Sequence, residues 1–179
     1  MAGGLPKGAI TELITPKISA GSASLIAGLL QSAEQGRYFL ALIDGRDSFD
    51  PQPLGHSCLR HLLWARCGKA IEAIKAADLL LRDGNFPLVV LDLVLNAAEE
   101  LRKIPQTNWY RLQRLVEPTS TVFLVLSRRS MVGSAQMKIV LENAWTLQTF
   151  EQENLVSRLP LRVQRSHPGQ RIIAKAEAG

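Results

Sequence analysis

The residues best placed to do chemistry in this chain lie in one stretch, Thr15-Pro16-Lys17-Ile18-Ser19-Ala20-Gly21-Ser22-Ala23. Ala9 to Ile14 precedes it and reads as a short buried strand. Ser22 to Gln35 follows, with Leu25, Ile26, Leu29 and Leu30 at helical spacing. Strand, polar loop, helix is the setting of a phosphate-binding loop. Such a loop needs glycines so that backbone N–H groups can wrap the phosphates, a lysine for the outer phosphates, and a Ser or Thr for Mg²⁺. Here Gly21 stands where the lysine belongs, or Ser22 if the stretch is slipped by one. Lys17 comes too early, and Thr15 takes the place of the opening glycine. What is left is a vestigial cradle of Thr15, Pro16, Ser19, Gly21 and Ser22. The helix amino terminus behind it still offers free N–H groups to an anion. Tight ATP binding is not expected, and no cofactor is assigned.

A second candidate is Asp92, reached by the apolar run Phe86 to Val94. An apolar strand ending in Asp has the form of a Walker B strand, whose carboxylate orients the Mg²⁺ shell. With no lysine in the loop, Asp92 reads as a structural remnant that hydrogen-bonds locally. Tyr38 to Asp44 is another nearly continuous apolar run, suited to a parallel strand covered on both faces. It empties into a polar turn, Asp44 to Pro51. Other chemistries lack support. Cys58 and Cys67 have no companions at metal-ligand spacing and read as reduced thiols. His56, His61 and His167 are scattered. No Gly-x-Ser-x-Gly elbow is present.

The elements that must position these residues are legible in outline. Leu62 to Ala65 is a short strand, Lys69 to Arg82 a helix stopped by Gly84, and Asn96 to Lys103 a short helix capped by Asn96. Asn108 to Val116 is a helix with Trp109, Leu112, Leu115 and Val116 at core spacing, and Thr121 to Ser127 is a strand. Ser134 to Glu142 is expected to be helical, and Ala144 to Phe150 and Leu159 to Arg165 to be the last strands, the second at an edge because of Pro160. Arg171 to Gly179 is a short strand or a frayed tail. This alternation predicts a three-layer α/β fold with a mostly parallel sheet and helices on both faces.

Arg128 and Arg129 follow a strand at its carboxyl end, where open α/β sheets place their binding crevice. With Arg46 they form either a basic patch or three solvated side chains. Arg158, Arg162, Arg165 and Arg171 either meet nucleic-acid phosphates or form the polar face of an edge strand. The formal net charge of +5 permits an acidic or nucleic-acid partner without demanding one. At 179 residues a single domain is expected. Apolar content of 46% suits a globular protein, and no apolar run reaches the roughly 18 residues of a membrane span. No secretion signal is visible, so a cytoplasmic location is expected and no membrane partner.

Gly3-Gly4-Leu5-Pro6 with Gly8, the strand carrying Glu12, and Pro16 resemble the opening of the RecA recombinase ATPase core. Ile43-Asp44 leading to Asp50-Pro51 resembles the RecA segment that carries the catalytic glutamate, whose position here is Arg46. A guanidinium stays protonated and cannot act as a general base. The resemblance implies a RecA-like fold of the P-loop NTPase type over residues 1–179, with a degenerate nucleotide site and no ATPase reaction. RecA's two DNA-holding loops have no long glycine-rich counterpart, and neither the segment by which RecA polymerises nor its carboxyl-terminal domain is expected. The chain is most similar to the ImuA-like accessory proteins of bacterial SOS mutagenesis, and more distantly to the division inhibitor SulA. Arg111-Leu112-Gln113 after Trp109 is reminiscent of that branch. The resemblance implies a non-catalytic role in the DNA-damage response, through contacts with a recombinase or an error-prone polymerase, at a face where Arg128, Arg129, Trp109 and Arg111 are candidate contacts to protein or, weakly, to DNA. A SulA-like division inhibitor, and a weak nucleotide-binding ATPase or DNA-binding recombinase paralogue, remain alternatives.

Overall fold

The computed structural model describes residues 4–17, 21–141 and 161–166. Seven strands form one sheet: β1 (Ala9–Ile14), β2 (Leu40–Asp44), β3 (Leu62–Arg66), β4 (Leu88–Asp92), β5 (Val122–Ser127), β6 (Met137–Leu141) and β7 (Leu161–Ser166). Their order is β3-β2-β4-β5-β1-β6-β7. All neighbours run parallel except β6 and β7, which are antiparallel. Between the strands lie α1 (Ser22–Gly36), α2 (His56–Leu59), α3 (Ala70–Asp83), α4 (Ala98–Arg102) and α5 (Gln106–Val116).

The central strands β2, β4 and β5 are apolar nearly from end to end because both of their faces are covered. Successive side chains point to opposite faces, and two cores result. Ile10, Ala41, Ile43, Val89, Leu91, Phe123 and Val125 pack with Ala73, Ala77 and Leu81 of α3 and with Trp109, Leu112 and Val116 of α5. Leu13, Leu40, Leu42, Val90, Leu124 and Leu126 pack with Ile26, Leu30 and Ala33 of α1. The molecule is therefore helix, sheet, helix. Gly84 ends α3 in the left-handed region (φ 71°), as a helix-terminating glycine should.

Two expectations fail. Residues 137–141 form strand β6 rather than part of a helix. Met-Lys-Ile-Val-Leu pairs in parallel with β1, where Ile139 and Val140 are buried on both sides of the pleat. Asn96 does not cap α4, whose preceding residue is Ala97. Its side-chain amide donates instead to Gly45 O (2.8 Å) and Glu100 Oε2 (3.2 Å). Strand β7 lies at the sheet edge, as Pro160 suggested. The expected strand Ala144 to Phe150, and the segment Arg171 to Gly179, lie outside the described residues.

Candidate functional site at the carboxyl edge of the sheet

The parallel strands bring Ile14, Asp44, Asp92 and Ser127 to one edge of the sheet. Thr15 follows β1 but is wholly buried. Its N–H and its Oγ1 both donate to Ser127 O (2.7 and 3.3 Å), so it is fastened to β5. Gly21 precedes α1 in the left-handed region (φ 96°) and contributes no side-chain cap. Pro16 is exposed and Ser19 lies outside the described residues. Ser22, Ala23 and Ser24 open α1 and line a cleft of about 410 Å³, closed opposite by Phe49, Asp50, Leu54 and Asp92. Among the described residues lining this cleft, two are carboxylates and none is a cation.

Asp44 and Asp92 are register partners on β2 and β4. Asp44 is buried and accepts the N–H groups of Arg46 (3.2 Å), Ser48 (2.7 Å) and Phe49 (2.7 Å). Asp92 accepts the Val94 N–H at 3.0 Å. Burial pushes the Asp92 carboxyl up to about 6; the Val94 N–H opposes this, and the charge of Asp44 adds to it. Arg46 is exposed, and its guanidinium donates to Gly68 O (3.2 Å) at the end of β3, outside the cleft lining. Gly45 is tied to β4 through its N–H to Asp92 O (2.9 Å), and a Cβ there would lie 2.5 Å from Asn96 Oδ1. Only glycine fits that approach.

A second hollow, of about 370 Å³, lies between α4, the start of α5 and the loop after β5. Arg102, Arg128 and Arg129 surround it, and Leu101, Ile104 and Met131 supply apolar surface. Arg46 is not part of this cluster; Arg102 is, although the sequence did not single it out. Trp109 borders the hollow but is wholly buried, as its core spacing predicted, so as a candidate contact it presents no exposed face to a partner. Arg111 lies elsewhere, in a groove between α3 and α5, where it forms a two-point ion pair with Asp78 (2.8 and 3.0 Å). Burial works to raise the Asp78 pKa, but hydrogen bonds from Arg82 and Arg111 hold it below the usual range.

The residue that fixes the loop is Glu12, fully buried in the middle of β1. Its carboxylate accepts the N–H groups of Met131 (2.6 Å) and Val132 (3.0 Å) and pairs with Lys138 Nζ at 2.8 Å. The signal was present in the sequence as one acid inside an apolar strand, since a buried carboxylate needs a cation and donors. Its partners could not be named, because Lys138 lay in a stretch read as helix.

No family model matches the chain. The RecA protein of Clavibacter michiganensis is 34% identical over 95 residues, which cover 51% of this chain and 26% of that protein. RecA of Acinetobacter baumannii is 34% identical over 95 residues, covering 51% and 27%. The chain thus spans about a quarter of the length of the curated relatives it matches. Among solved structures, that of the RadB recombinase superposes with a TM-score of 0.58 at 14% identity, over 78% of this chain and 76% of that one. Partial sequence similarity and sheet architecture agree that the fold of this chain is RecA-like, a three-layer α/β sandwich around a mostly parallel sheet.

Proposed function

We propose that this chain is a non-catalytic RecA-fold accessory protein acting through protein contacts in the DNA-damage response, in the manner of the ImuA-like proteins. The observation that carries the reading is the cleft over α1, lined by Asp50 and Asp92 with no cation among its described residues. A triphosphate with Mg²⁺ needs fixed positive charge at its outer phosphates. The two carboxylates can engage only the metal, and no described lining residue offsets the charge of the phosphates. The position of the general base is held by Arg46, whose guanidinium is engaged with Gly68 O. Similarity to RecA over half of the chain supports a setting in DNA repair.

The test is calorimetric titration with Mg²⁺–ATP, alongside a phosphate-release assay with and without single-stranded DNA. No saturable heat and no turnover are expected. Saturable binding, or turnover abolished by Asp92→Asn, would overturn the reading and favour a nucleotide-binding enzyme. Genetic deletion followed by ultraviolet-induced mutation counts tests the setting: fewer induced mutations support a mutagenesis role, and an unchanged count removes it.

A further inference from the structure

We propose that the hollow between α4, α5 and the loop after β5 docks an acidic peptide segment with an apolar anchor, presented by a partner protein. This deepens the interaction reading above and rests on it for the existence of a protein partner. The charge is one-sided: Arg102, Arg128 and Arg129 line the hollow, and no carboxylate is among its described lining residues. Arg128 and Arg129 are exposed and have no ion-pair partner among the described residues. Among the described residues Arg102 donates to Ala98 O, on its own helix, at 3.2 Å, and forms no ion pair. Guanidinium forks match carboxylates in two-point geometry.

The hollow also has an apolar side, from Leu101, Ile104 and Met131. Its volume of about 370 Å³ accommodates one or two large side chains. A site with arginines at the mouth and aliphatic surface within selects a ligand that is anionic and apolar at once.

The site is preformed. Glu12 accepts the N–H groups of Met131 and Val132 from below. Gln106, at the start of α5, donates to Met131 O (3.1 Å) and accepts the Gly133 N–H (3.4 Å) from the side. Pinned at both flanks, the loop loses little freedom when a ligand arrives, which favours binding. A nucleic acid fits less well. Single strands are held largely by bases stacked on aromatic faces. The aromatic residue here, Trp109, has no exposed face, and the exposed Tyr110 is not among the lining residues.

The experiment is fluorescence anisotropy on the full chain with a labelled peptide, Asp-Glu-Phe-Leu-Glu-Asp. Three comparators are its amide counterpart (Asn-Gln-Phe-Leu-Gln-Asn), a form with both apolar residues replaced by glycine, and a labelled oligothymidylate. Saturable binding of the acidic peptide is expected. It should weaken at least about tenfold (~1.4 kcal/mol) for the amide peptide and for the Arg128→Glu, Arg129→Glu double variant. Both arginines are exposed, so the variant should melt with the wild type. Arg114→Glu, a charge reversal at an exposed residue of α5 outside the hollow, should leave affinity within about twofold. The proposal is overturned by no saturation at about 1 mM peptide (~4.1 kcal/mol), by equal binding of the amide or glycine forms, by indifference to the double variant, or by preference for the oligonucleotide. Failure here leaves the non-catalytic reading standing, and Mg²⁺–ATP binding would remove that reading without touching this result.

Discussion

Replacing Glu12 by glutamine removes one charge from the centre of the sheet and nearly nothing else. The side chain keeps its size, and an amide oxygen can still accept the N–H groups of Met131 and Val132. What changes is the atom facing Lys138, now an NH₂ donor 2.8 Å from an ammonium where a carboxylate oxygen had been. Glu12 is fully buried and Lys138 only 12% exposed, so water cannot replace the lost anion well. Removing one partner of a buried pair costs about 3–5 kcal/mol. Lys138 also donates to Ser130 Oγ (2.7 Å) and keeps a little solvent access, which places the cost near the lower end. About 3 kcal/mol corresponds to a fall in Tm of roughly 6–12 °C for a chain of this size. Urea unfolding followed by circular dichroism measures it for Glu12→Gln, Lys138→Met and the double variant. The double variant should recover at least about 1 kcal/mol relative to the sum of the single losses, because it leaves no orphan charge. Amide exchange at Met131 and Val132 should quicken in Glu12→Gln. A loss below about 1 kcal/mol, or strictly additive single variants, would refute the claim that this pair holds the loop.

Three further outcomes are expected. Gly45→Ala should destabilise by about 1–3 kcal/mol in urea unfolding, because its methyl would lie 2.5 Å from Asn96 Oδ1 and 2.7 Å from Asp92 O, inside contact distance. Asp92→Asn should stabilise at pH 7.5: the folded carboxyl titrates at about 6 against an ordinary 3.8 for the unfolded chain, so ionisation opposes folding as pH rises through that window. The gain should be about 1–3 kcal/mol by urea unfolding and should vanish below pH 3.8, where both states are protonated. Trp109→Ala should cost about 3–5 kcal/mol in the same measurement, as an indole removed from a closed core does. A neutral Trp109→Ala would mean that the ring lies at a surface after all.

The frame was readable because its central strands are apolar nearly from end to end. Tyr38 to Asp44 and Phe86 to Val94 can satisfy so much continuous hydrophobic surface only inside a covered sheet, and they become β2 and β4. The face of α3 and its stop at Gly84 followed from spacing and from the left-handed backbone that glycine tolerates. Residues 137–141 were misread because a short apolar run carries no decisive period. The open slot beside β1 made the choice, which is information held by the fold rather than by the segment. Asn96 was misread for a similar reason. Its local position suits a helix cap, but Gly45 O, supplied from the end of β2, claims its amide. The basic hollow was half legible: Arg128 and Arg129 stood at a strand end, whereas Arg102 joins them only through packing.

The acidic residues along this edge share one use. Asp44 gives both carboxylate oxygens to the turn after β2, receiving Arg46 on one and Ser48 and Phe49 on the other. Asp92 takes the Val94 N–H. Glu12 takes those of Met131 and Val132. Asp44 and Asp92, at the ends of β2 and β4, and Glu12, inside β1, thereby each tie down a loop by a carboxylate accepting backbone donors. Such bonds are charge-assisted and stronger than neutral ones, so they hold loops in place without a ligand to order them. Metal-assisted chemistry would in addition need a carboxylate kept ionised and open to metal-bound water. Asp92 lies beside Asp44 and half-buried, so it gains little from staying ionised and has no cation among the described lining residues to compensate it. An edge that holds its own loops in this way supports the proposal that the chain meets a partner through a fixed surface.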